Sequence, residues 1–337
     1  MVNLAFISAA HVHTGAFIEA IQRHPDGRRV QAVWDDLPDR GKRFARLAHA
    51  PYVETLEALL NDPTIDGFII AAENSRHADL LESVLPIGKP VFCEKPLVVT
   101  VDQVLRVRRL VRTQPASLIC GYFHPYTTEL RSVAALIDRG TLGTITRARF
   151  RNAHHGALAR WFDDPHVAWI RRPDTAAGGG FLDLGTHAIH QLQTLFGPVA
   201  AVWADIVNES GIYPEIDDYG VAHLRFASGL RATVEAGWTQ SGGTTGLELQ
   251  GSQKSVWSTA SGYVVGSANE SPQPLLLTEP AAPACIDRLV AAIRGEIDPH
   301  LLRADVETAL HTVEVMAACY RSSHDGTWTP VASLPTP

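Results

Sequence analysis

Two patterns of hydrophobic and polar residues divide the chain near Gly121. Before it, short runs that are apolar throughout alternate with segments whose apolar residues recur every three or four positions. Such alternation predicts a parallel sheet that is covered by helices on both faces. The predicted strands cover residues 2–8, 30–34, 65–72, 90–93 and 116–121, and the predicted helices cover residues 15–23, 40–48, 53–60, 76–87 and 101–112.

After Gly121, a predicted helix over residues 127–139 leads into longer segments in which polar and apolar residues alternate. These segments cover residues 144–154, 200–208, 219–226, 230–238, 246–250 and 255–259. Ser228-Gly229, between two of them, is suited to a hairpin turn. The pattern predicts an antiparallel sheet with one solvated or partner-facing side. A last helix is predicted over residues 303–322, with a proline-rich tail beyond Thr329.

The fold class that follows is α/β, with two domains. We expect a doubly wound parallel sheet over residues 1–121 and an α+β domain with an open, mainly antiparallel sheet over residues 122–337. The length of 337 residues supports two cores, because it is long for one.

Composition narrows the class of protein. A hydrophobic fraction of 45% and a charged fraction of 19% are those of an ordinary soluble protein. The net charge of −7 argues against nucleic acid or an anionic membrane as a partner. The four cysteines are widely spaced and form no CxxC pair, and no apolar run has the length of a membrane span or a signal core. We expect reduced thiols and a cytoplasmic location.

The most informative segment follows the predicted strand over residues 90–93. There the chain reads Glu94-Lys95-Pro96. A lysine buried at a strand end is unfavourable unless it is paired or used, and Pro96 restricts Lys95 to an extended conformation. The segment therefore directs an amine to the carboxyl edge of the sheet, where open α/β folds bind ligands. The alternative is a surface lysine in a turn.

The first strand leads into a candidate dinucleotide-binding turn. Such a turn carries Gly-x-Gly-x-x-Gly, but here these positions hold Ser8, Ala10 and His13. Asp35 lies 22 residues after His13, near the spacing of about 20 expected for a carboxylate that binds a ribose hydroxyl. Asp35 and the acid after it favour NAD over NADP, although Arg40 keeps NADP possible. Asp35 can also be a loop acid or a helix cap.

A second cluster follows three glycines at residues 178–180. If this segment is helical, Asp183, His187 and His190 share one face, at i, i+4 and i+7. An acid and a histidine one turn apart suit general acid–base catalysis on an alcohol. The same three side chains are also reasonable zinc ligands, and a buried polar face is a third interpretation.

Other candidates come from their positions at strand ends or at the predicted domain junction. Asn74 and His77 follow the third strand, where they can line the cofactor edge or simply cap a helix. Trp169 and Arg172 lie in an aromatic and basic stretch that suits a polyhydroxylated ligand. We assign to the cofactor Ser8, Ala10, His11, His13, Asp35, Asn74, His77 and Glu94, and to the substrate Tyr122, His124, Trp169, Arg172 and His190.

With these motifs in order, the chain resembles the Gfo/Idh/MocA family of sugar and cyclitol oxidoreductases. The resemblance rests on Glu94-Lys95-Pro96, on residues 69–78 (IIAAENSRHA), on the segment Gly-Gly-Gly-x-x-x-Asp-x-Gly-x-His from Gly178, and on the closing stretch from Leu289 to Ser322. It implies a Rossmann domain followed by an α+β domain whose sheet pairs in a homodimer or homotetramer. It also implies NAD as the cofactor, with NADP as the alternative.

The activity that the resemblance implies is reversible hydride transfer at a hydroxyl-bearing carbon of a sugar or cyclitol. Lys95 would transfer the proton with His187, beside Asp183, and no metal is expected. The chain departs from the family where glycines are usual: Ser8 and Ala10 fit the turn if their φ angles are negative, whereas His13 adds an imidazole. Glu73 and His190 stand where the family often has Pro and Asp. The substrate is therefore not carried over from any one member.

Two alternatives remain at this point. His11-Val12-His13 is also how metal-dependent amidohydrolases begin their β/α barrel, but the second half lacks the regular strand–helix alternation of a barrel. The missing glycines motivate the second alternative, a non-catalytic protein that keeps the fold and binds a cofactor or a sugar.

Overall fold

The computed structural model describes residues 1–114 and 116–331. The first part of the chain forms a five-stranded parallel sheet. Its strands are β1 (Val2–Ile7), β2 (Arg28–Trp34), β3 (Gly67–Ile70), β4 (Val91–Cys93) and β5 (Leu118–Cys120). Their order is β2-β1-β3-β4-β5, and a single parallel bridge from Val33 to Tyr52 extends the β2 edge. The order reverses direction between β1 and β3, which is the point where open α/β sheets bind ligands.

Helices cover both faces of this sheet, as the sequence predicts. They are α1 (Thr14–Arg23), α2 (Pro38–Leu47), α3 (Leu56–Leu60), α4 (His77–Val84) and α5 (Val101–Thr113). Capping residues set several boundaries: α5, for example, begins after Thr100, whose hydroxyl accepts from the Gln103 amide in a capping box. The predicted helix over residues 76–87 ends as a 3₁₀ turn at Leu85–Ile87, which contains a proline.

The rest of the chain builds a second, nine-stranded sheet with helices on one face. The helices are α6 (Thr128–Asp138), α7 (Pro173–Ala176), α8 (Thr186–Phe196), α9 (Cys285–Ile293) and α10 (Pro299–Asp325). The strands are β6 (Ile145–Ala153), β7 (Val199–Val207), β8 (Tyr219–Phe226), β9 (Arg231–Gly237), β10 (Gly246–Gly251), β11 (Ser255–Thr259), β12 (Gly262–Ser267), β13 (Glu270–Pro274) and β14 (Thr329–Pro330).

The second sheet has the order β13-β12-β11-β10-β6-β9-β8-β7-β14. Its strands pair antiparallel except β6 and β9, which are parallel. The fold class predicted from the sequence is therefore confirmed, and the β/α barrel of the amidohydrolase alternative is wrong. In the described part of the chain, no helix is both long and apolar enough to cross a membrane.

Several elements were not predicted. The hairpin β12–β13 ends in a strand whose five residues are all exposed, so it shows no alternation of polarity. Helix α9 was not predicted either. The predicted tail begins too early, because Thr329 and Pro330 pair with β7 and Val331 is buried; residues 332–337 lie outside the described residues.

Helix α10 connects the two sheets. On α10, Val306 and Leu310 belong to the core under the first sheet, whereas Val315 and Ala318 belong to the core under the second. Helix α9 likewise packs on the first sheet through Leu289. The two sheets are thus held together by a shared helix, and the carboxyl ends of β1, β3 and β4 face the segment that precedes α8.

Candidate active site

A buried ion pair joins the two halves of the chain. Lys95 follows β4, and its Nζ donates to Asp183 Oδ1 at 2.5 Å and to the Asp183 backbone carbonyl at 3.1 Å. Only 5% of the Lys95 side chain and 19% of the Asp183 side chain are exposed. The Lys95–Pro96 peptide bond is cis. The sequence placed these two residues in one site, and they are in direct contact.

The three glycines explain how Asp183 reaches this position. The backbone amides of Gly179 and Phe181 donate to the carboxylate of Asp217 at 2.7 and 2.8 Å, which caps the start of the helical segment. A Cβ on Gly179 would lie 1.8 Å from the Asp217 carbonyl oxygen, and one on Gly180 would lie 2.8 Å from the Asp218 carbonyl oxygen. Side chains at these positions would therefore push the segment away from Lys95.

The segment that carries Asp183 is not a regular α-helix. Residues Phe181–Gly185 form a π-helical turn that runs directly into α8. The predicted i, i+4, i+7 alignment of an α-helix is thus interrupted between Asp183 and His187. Single π turns of this kind are frequent at functional sites.

Trp238 fixes the orientation of Asp183. Its indole Nε1 donates to Asp183 Oδ2 at 2.9 Å, while Lys95 holds the other oxygen. Burial alone would raise the pKa of Asp183, but the charge and hydrogen bond of Lys95, with the Trp238 hydrogen bond, lower it to about 2. Asp183 is therefore an ionised partner of Lys95 at neutral pH.

His187 lies beside this pair in an aromatic environment. Its ring is 5.6 Å from that of Tyr122, 5.2 Å from that of Phe123 and 5.3 Å from that of His124. Burial, followed by the charge of Lys95, lowers the pKa of His187 well below its usual value, so the imidazole is neutral. Within the described residues its buried Nδ1 has no hydrogen-bond partner.

Two predicted substrate residues pack against each other behind His187. The rings of Tyr122 and His190 stack at 3.9 Å, and the Tyr122 hydroxyl forms a 2.6 Å hydrogen bond with the Thr186 hydroxyl. His190 is 4% exposed, and burial lowers its pKa to about 3. These contacts make Tyr122 and His190 supports of the site, while the half-buried His124 lies nearer its opening.

The turn after β1 keeps the backbone shape of a glycine-rich turn. Ser8 has φ +63°, in the left-handed region, so the condition of a negative φ is not met at this position, whereas it is met at Ala10. The Ser8 hydroxyl and the Ala9 amide donate to Asp35 Oδ2 at 3.2 and 2.7 Å. These two bonds stabilise a conformation that L residues rarely adopt.

Asp35 stands at the end of β2, as predicted, and is part of a charged network. Arg40 Nε donates to Asp35 Oδ2 at 2.8 Å, and Arg40 Nη1 donates to Glu73 Oε1 at 2.8 Å. All three side chains are buried. The guanidinium of Arg40 is thus already neutralised by carboxylates at the edge where an adenosine ribose is expected.

The imidazoles of the turn point to Glu94. His13 Nδ1 lies 3.0 Å and His11 Nδ1 3.5 Å from Glu94 Oε1, while the Lys95 amide donates to Glu94 Oε2 at 2.9 Å. Burial, together with neighbouring cationic groups, lowers the pKa of His11 to about 3 even though Glu94 opposes it. Burial would raise the pKa of Glu94, but the two histidines and Lys95 lower it to about 2.

The residues present fit the pyrophosphate of a dinucleotide at the start of α1. The left-handed Ser8 directs the turn, Val12 is 45% exposed, and a Cβ on Gly15 would meet no atom within 4 Å. An accessible helix N-terminus of this kind binds anions through its free amides and its dipole. The imidazoles of His11 and His13 are turned toward Glu94.

Four predicted contact residues have other surroundings in the structure. His77 is fully buried, with its ring nitrogens against the carbonyls of Pro96 and Ala72, so it supports the Lys95 turn. Asn74 donates to the Ala176 carbonyl across the two halves of the chain. The Trp169 indole donates to the Ala10 carbonyl at 2.9 Å, which places it on the dinucleotide turn. Arg172 pairs with Asp174 on the exposed surface.

Sequence reasoning missed two residues of the site, Trp238 and Thr186. Trp238 ends an alternating strand, where nothing distinguishes a tryptophan that packs from one that orients a carboxylate. Arg40 was noted only as a neighbour of Asp35, although a basic residue five positions after a buried acid is a usable signal for the ion pair that forms.

A parallel sheet with a dinucleotide turn and Lys95 at its carboxyl edge is joined to a second half that supplies Asp183 and the neutral His187. This is the architecture of a two-part NAD-binding oxidoreductase. Sequence profiles agree: residues 3–122 match "Oxidoreductase family, NAD-binding Rossmann fold", and residues 130–257 match "GFO/IDH/MocA C-terminal domain". The chain belongs to the Gfo/Idh/MocA family of oxidoreductases. The predicted family and its NAD-binding domain are confirmed.

Curated relatives include enzymes of sugars and cyclitols. Inositol 2-dehydrogenase of Rhizobium meliloti is 28% identical over 224 residues, which cover 64% of this chain and 63% of the relative. The chain thus spans less than two thirds of that protein. The 1,5-anhydro-D-fructose reductase of Ensifer adhaerens is 27% identical over 68% of each chain.

Solved structures share the fold over the full length. The WlbA dehydrogenase of Bordetella pertussis, in complex with NADH and UDP-GlcNAcA, has a TM-score of 0.79 at 22% identity over 99% of each chain. The aldose–aldose oxidoreductase of Caulobacter crescentus has a TM-score of 0.80 at 19% identity, covering 98% of this chain and 99% of the other. At these identities the likeness concerns the fold alone.

Proposed function

We propose that the protein is an NAD-dependent oxidoreductase that interconverts a hydroxyl and a carbonyl group on a sugar, sugar derivative or cyclitol. The observation that carries this proposal is the buried Lys95–Asp183 pair at the carboxyl edge of the parallel sheet, with the unpartnered imidazole of His187 beside it. A nicotinamide cofactor would supply the hydride acceptor or donor. The residues of the chain would bind and orient the substrate and move the proton.

Lys95 is held so that one N–H remains for the substrate. An ammonium has three donors, and Asp183 takes two of them, through its carboxylate and its backbone carbonyl. Because Trp238 fixes Asp183, the third donor has a defined direction. A carbonyl or hydroxyl oxygen of the substrate would accept this hydrogen bond and exchange a proton with Lys95.

His187 would be the second proton-transfer group. A neutral imidazole has one nitrogen that donates and one that accepts, and the buried Nδ1 lacks a partner among the described residues. Because Nδ1 itself is fully buried, a substrate hydroxyl would bond the other ring nitrogen, Nε2, which is not among the buried unpartnered atoms. The clustering of His187, His124 and Lys95 within one cleft favours a ligand with several hydroxyl groups, and the activities named for the relatives, on inositol and 1,5-anhydro-D-fructose, support the same class.

NAD is the cofactor that the charges favour. A 2′-phosphate would need a free cation near Asp35, but Arg40 is bound by Asp35 and Glu73. Two carboxylates beside one guanidinium leave no net positive charge for a phosphate. The ribose hydroxyls of NAD add no charge.

The test combines cofactor binding with turnover. NADH should raise the melting temperature more than NADPH does, because a ligand that binds the native state stabilises it. On a panel of inositols and aldoses, Lys95→Ala and Lys95→Met should lose at least about 100-fold in turnover while keeping the NADH shift. Lys254→Ala, an exposed lysine, is the matched control and should behave as wild type.

Two results would contradict the proposal. Turnover retained in both Lys95 variants would remove this residue from proton transfer. The absence of any shift with NAD(H) and NADP(H) would favour the non-catalytic alternative instead.

The uncovered face of the second sheet supports a homodimer or homotetramer as the working form. It presents Arg149 and Arg151, paired with Glu235, and the ring of Trp257. Sedimentation of the wild type against Trp257→Glu should show a shift to smaller species; an unchanged mass would contradict this interface.

The four free cysteines fit a reducing compartment, and the cytoplasm is the proposed location.

A further inference from the structure

Three potential metal ligands converge where the family usually has a glycine-rich turn. His11 and His13 come from the end of β1, and Glu94 comes from the end of β4. Their ligand atoms all lie within 4.8 Å of one another. We propose that His11, His13 and Glu94 form a site for a divalent transition metal of the Zn²⁺ type. The proposal does not depend on the proposed function.

The spacing of the ligand atoms suits such an ion. Zinc binds nitrogen and carboxylate oxygen at about 2.0–2.2 Å, so two ligands of a tetrahedral ion are about 3.3 Å apart. The distances from Glu94 Oε1 to His13 Nδ1 and to His11 Nδ1 are 3.0 and 3.5 Å. All three ligand atoms lie within 4.8 Å of one another, so the two imidazoles would close on the ion, and His11 Nδ1 would give up the 3.3 Å hydrogen bond that it accepts from the His13 amide.

The surroundings of the cluster resemble a built site more than a chance surface group. The side chains of His11 and Glu94 are 3% and 1% exposed. The Lys95 amide holds Glu94 Oε2 at 2.9 Å, which leaves Oε1 directed at the imidazoles. Hydrogen bonds of this kind orient the ligands of metal sites. The ammonium of Lys95 is itself neutralised by Asp183, so it adds little repulsion toward a cation.

The donor set also selects the metal. Two imidazoles and one carboxylate suit Zn²⁺, Co²⁺ or Ni²⁺, whereas Mg²⁺ and Ca²⁺ prefer oxygen ligands only. The His13 side chain is 45% exposed, so one side of the site is open to the cleft. Three protein ligands with an open fourth position are the arrangement of zinc sites that bind a water or a substrate.

This proposal reverses the sequence-based expectation of no metal. The metal candidates considered there were Asp183, His187 and His190. In the structure Asp183 pairs with Lys95, and the ring of His190 stacks on Tyr122. The His-x-His pair was instead tied to a barrel that the fold excludes. The same two histidines, placed on an open sheet, meet a carboxylate that only the folded structure brings to them.

The test measures Zn²⁺ binding to the full-length protein after chelator treatment, by calorimetry and by metal analysis after dialysis. One equivalent should bind tightly, and Mg²⁺ should not compete. His13→Gly and Glu94→Gln should each weaken Zn²⁺ binding at least about 100-fold, since loss of a ligand should exceed the 10–100-fold effect of losing an outer hydrogen bond. Co²⁺ should give the visible absorption of a site with fewer than six ligands in the wild type and not in these variants.

His166→Ala is the matched control, because this histidine is exposed on a loop and has no metal-ligand neighbours in the cluster. Circular dichroism of the metal-free variants checks their folding, and Glu94→Gln preserves the size of the side chain. The proposal is overturned if no stoichiometric Zn²⁺ binds. It is also overturned if His13→Gly leaves binding unchanged, or if His166→Ala weakens binding as much as His13→Gly does.

Discussion

Removing Lys95 should destabilise the protein more than removing any exposed lysine. The Nζ–Oδ1 distance to Asp183 is 2.5 Å, and both side chains are largely shielded from water. The pKa of Asp183 falls from 3.8 to about 2 in the folded protein despite burial, which corresponds to roughly 2 kcal/mol in favour of the charged form. Breaking a buried pair from one side leaves the other charge without its partner, at about 3–5 kcal/mol.

Lys95→Met is therefore expected to lower the free energy of unfolding by about 3 kcal/mol. Asp183→Asn should have a similar effect, and the double variant should cost less than the sum of the two, with a coupling of about 2 kcal/mol. The assay is urea denaturation of the cofactor-free protein, followed by tryptophan fluorescence, since Trp238 contacts Asp183. Lys254→Met, from an exposed pair with Glu270, should cost less than about 1 kcal/mol.

The pH dependence supplies a second check on the pair. Because the pKa of Asp183 is depressed on folding, its contribution is present above the unfolded value of 3.8 and is lost as pH falls toward about 2. The stability gap between wild type and Asp183→Asn should therefore narrow below pH 3.8. If Lys95→Met costs no more than Lys254→Met, or the double variant is strictly additive, the pair does not stabilise the fold as argued.

Three further predictions concern other parts of the site. Gly179→Ala places a Cβ 1.8 Å from a backbone oxygen and should lower the free energy of unfolding by at least about 2 kcal/mol in thermal melts. The control Gly242→Ala should be neutral, because its Cβ meets no atom within 4 Å. Equal effects of the two variants would refute the packing argument. Burial lowers the pKa of His190 from 6.5 to about 3, so as pH falls the unfolded state binds a proton before the folded state does, and the free energy of unfolding should decrease through that range. His190→Gln should reduce this pH dependence between pH 7 and 5 in urea denaturation. An unchanged pH dependence would contradict the burial of a neutral imidazole at this position. Asp35→Ser removes one of the two buried carboxylates that pair with Arg40 and leaves Glu73 in place. The loss of this negative charge should improve the NADPH-to-NADH affinity ratio at least about tenfold by calorimetry; an unchanged ratio would show that Arg40 does not read this position.

The sheet and its edge were predictable because their signals are local. Runs that are apolar throughout gave the five parallel strands, and parallel strands bring their carboxyl ends to one edge, which placed Lys95 and Asp35 correctly. The proximity of Lys95 and Asp183 followed from that edge and from the family motifs. The contact of Asp183 with Trp238 could not be predicted, since Trp238 lies 55 residues further along the chain, just after a strand with an ordinary pattern.

Two predicted substrate residues have protein partners that the residue types alone did not indicate. Trp169 was expected at the substrate because aromatic side chains often stack on sugars, yet its indole bonds the Ala10 carbonyl 159 residues away. Arg172 was expected beside it, but a nearby Asp174 holds it at the surface. The residue types suggested a ligand, whereas Trp169 has a tertiary partner and Arg172 has a local one.

The glycine-free turn shows why a motif search and a structure can disagree. A non-glycine residue in the left-handed region costs about 1–2 kcal/mol, which is the reason that glycine is usual there. Ser8 meets this cost with its hydroxyl bond to Asp35, and the Ala9 amide adds a second bond to the same carboxylate at 2.7 Å. Hydrogen bonds to a charged group contribute about 1.5–3 kcal/mol. The two bonds are therefore large enough to hold the turn without a glycine in place of Ser8. At the other two positions of the motif, Ala10 packs in one apolar cluster with Trp169, and His13 contacts Glu94.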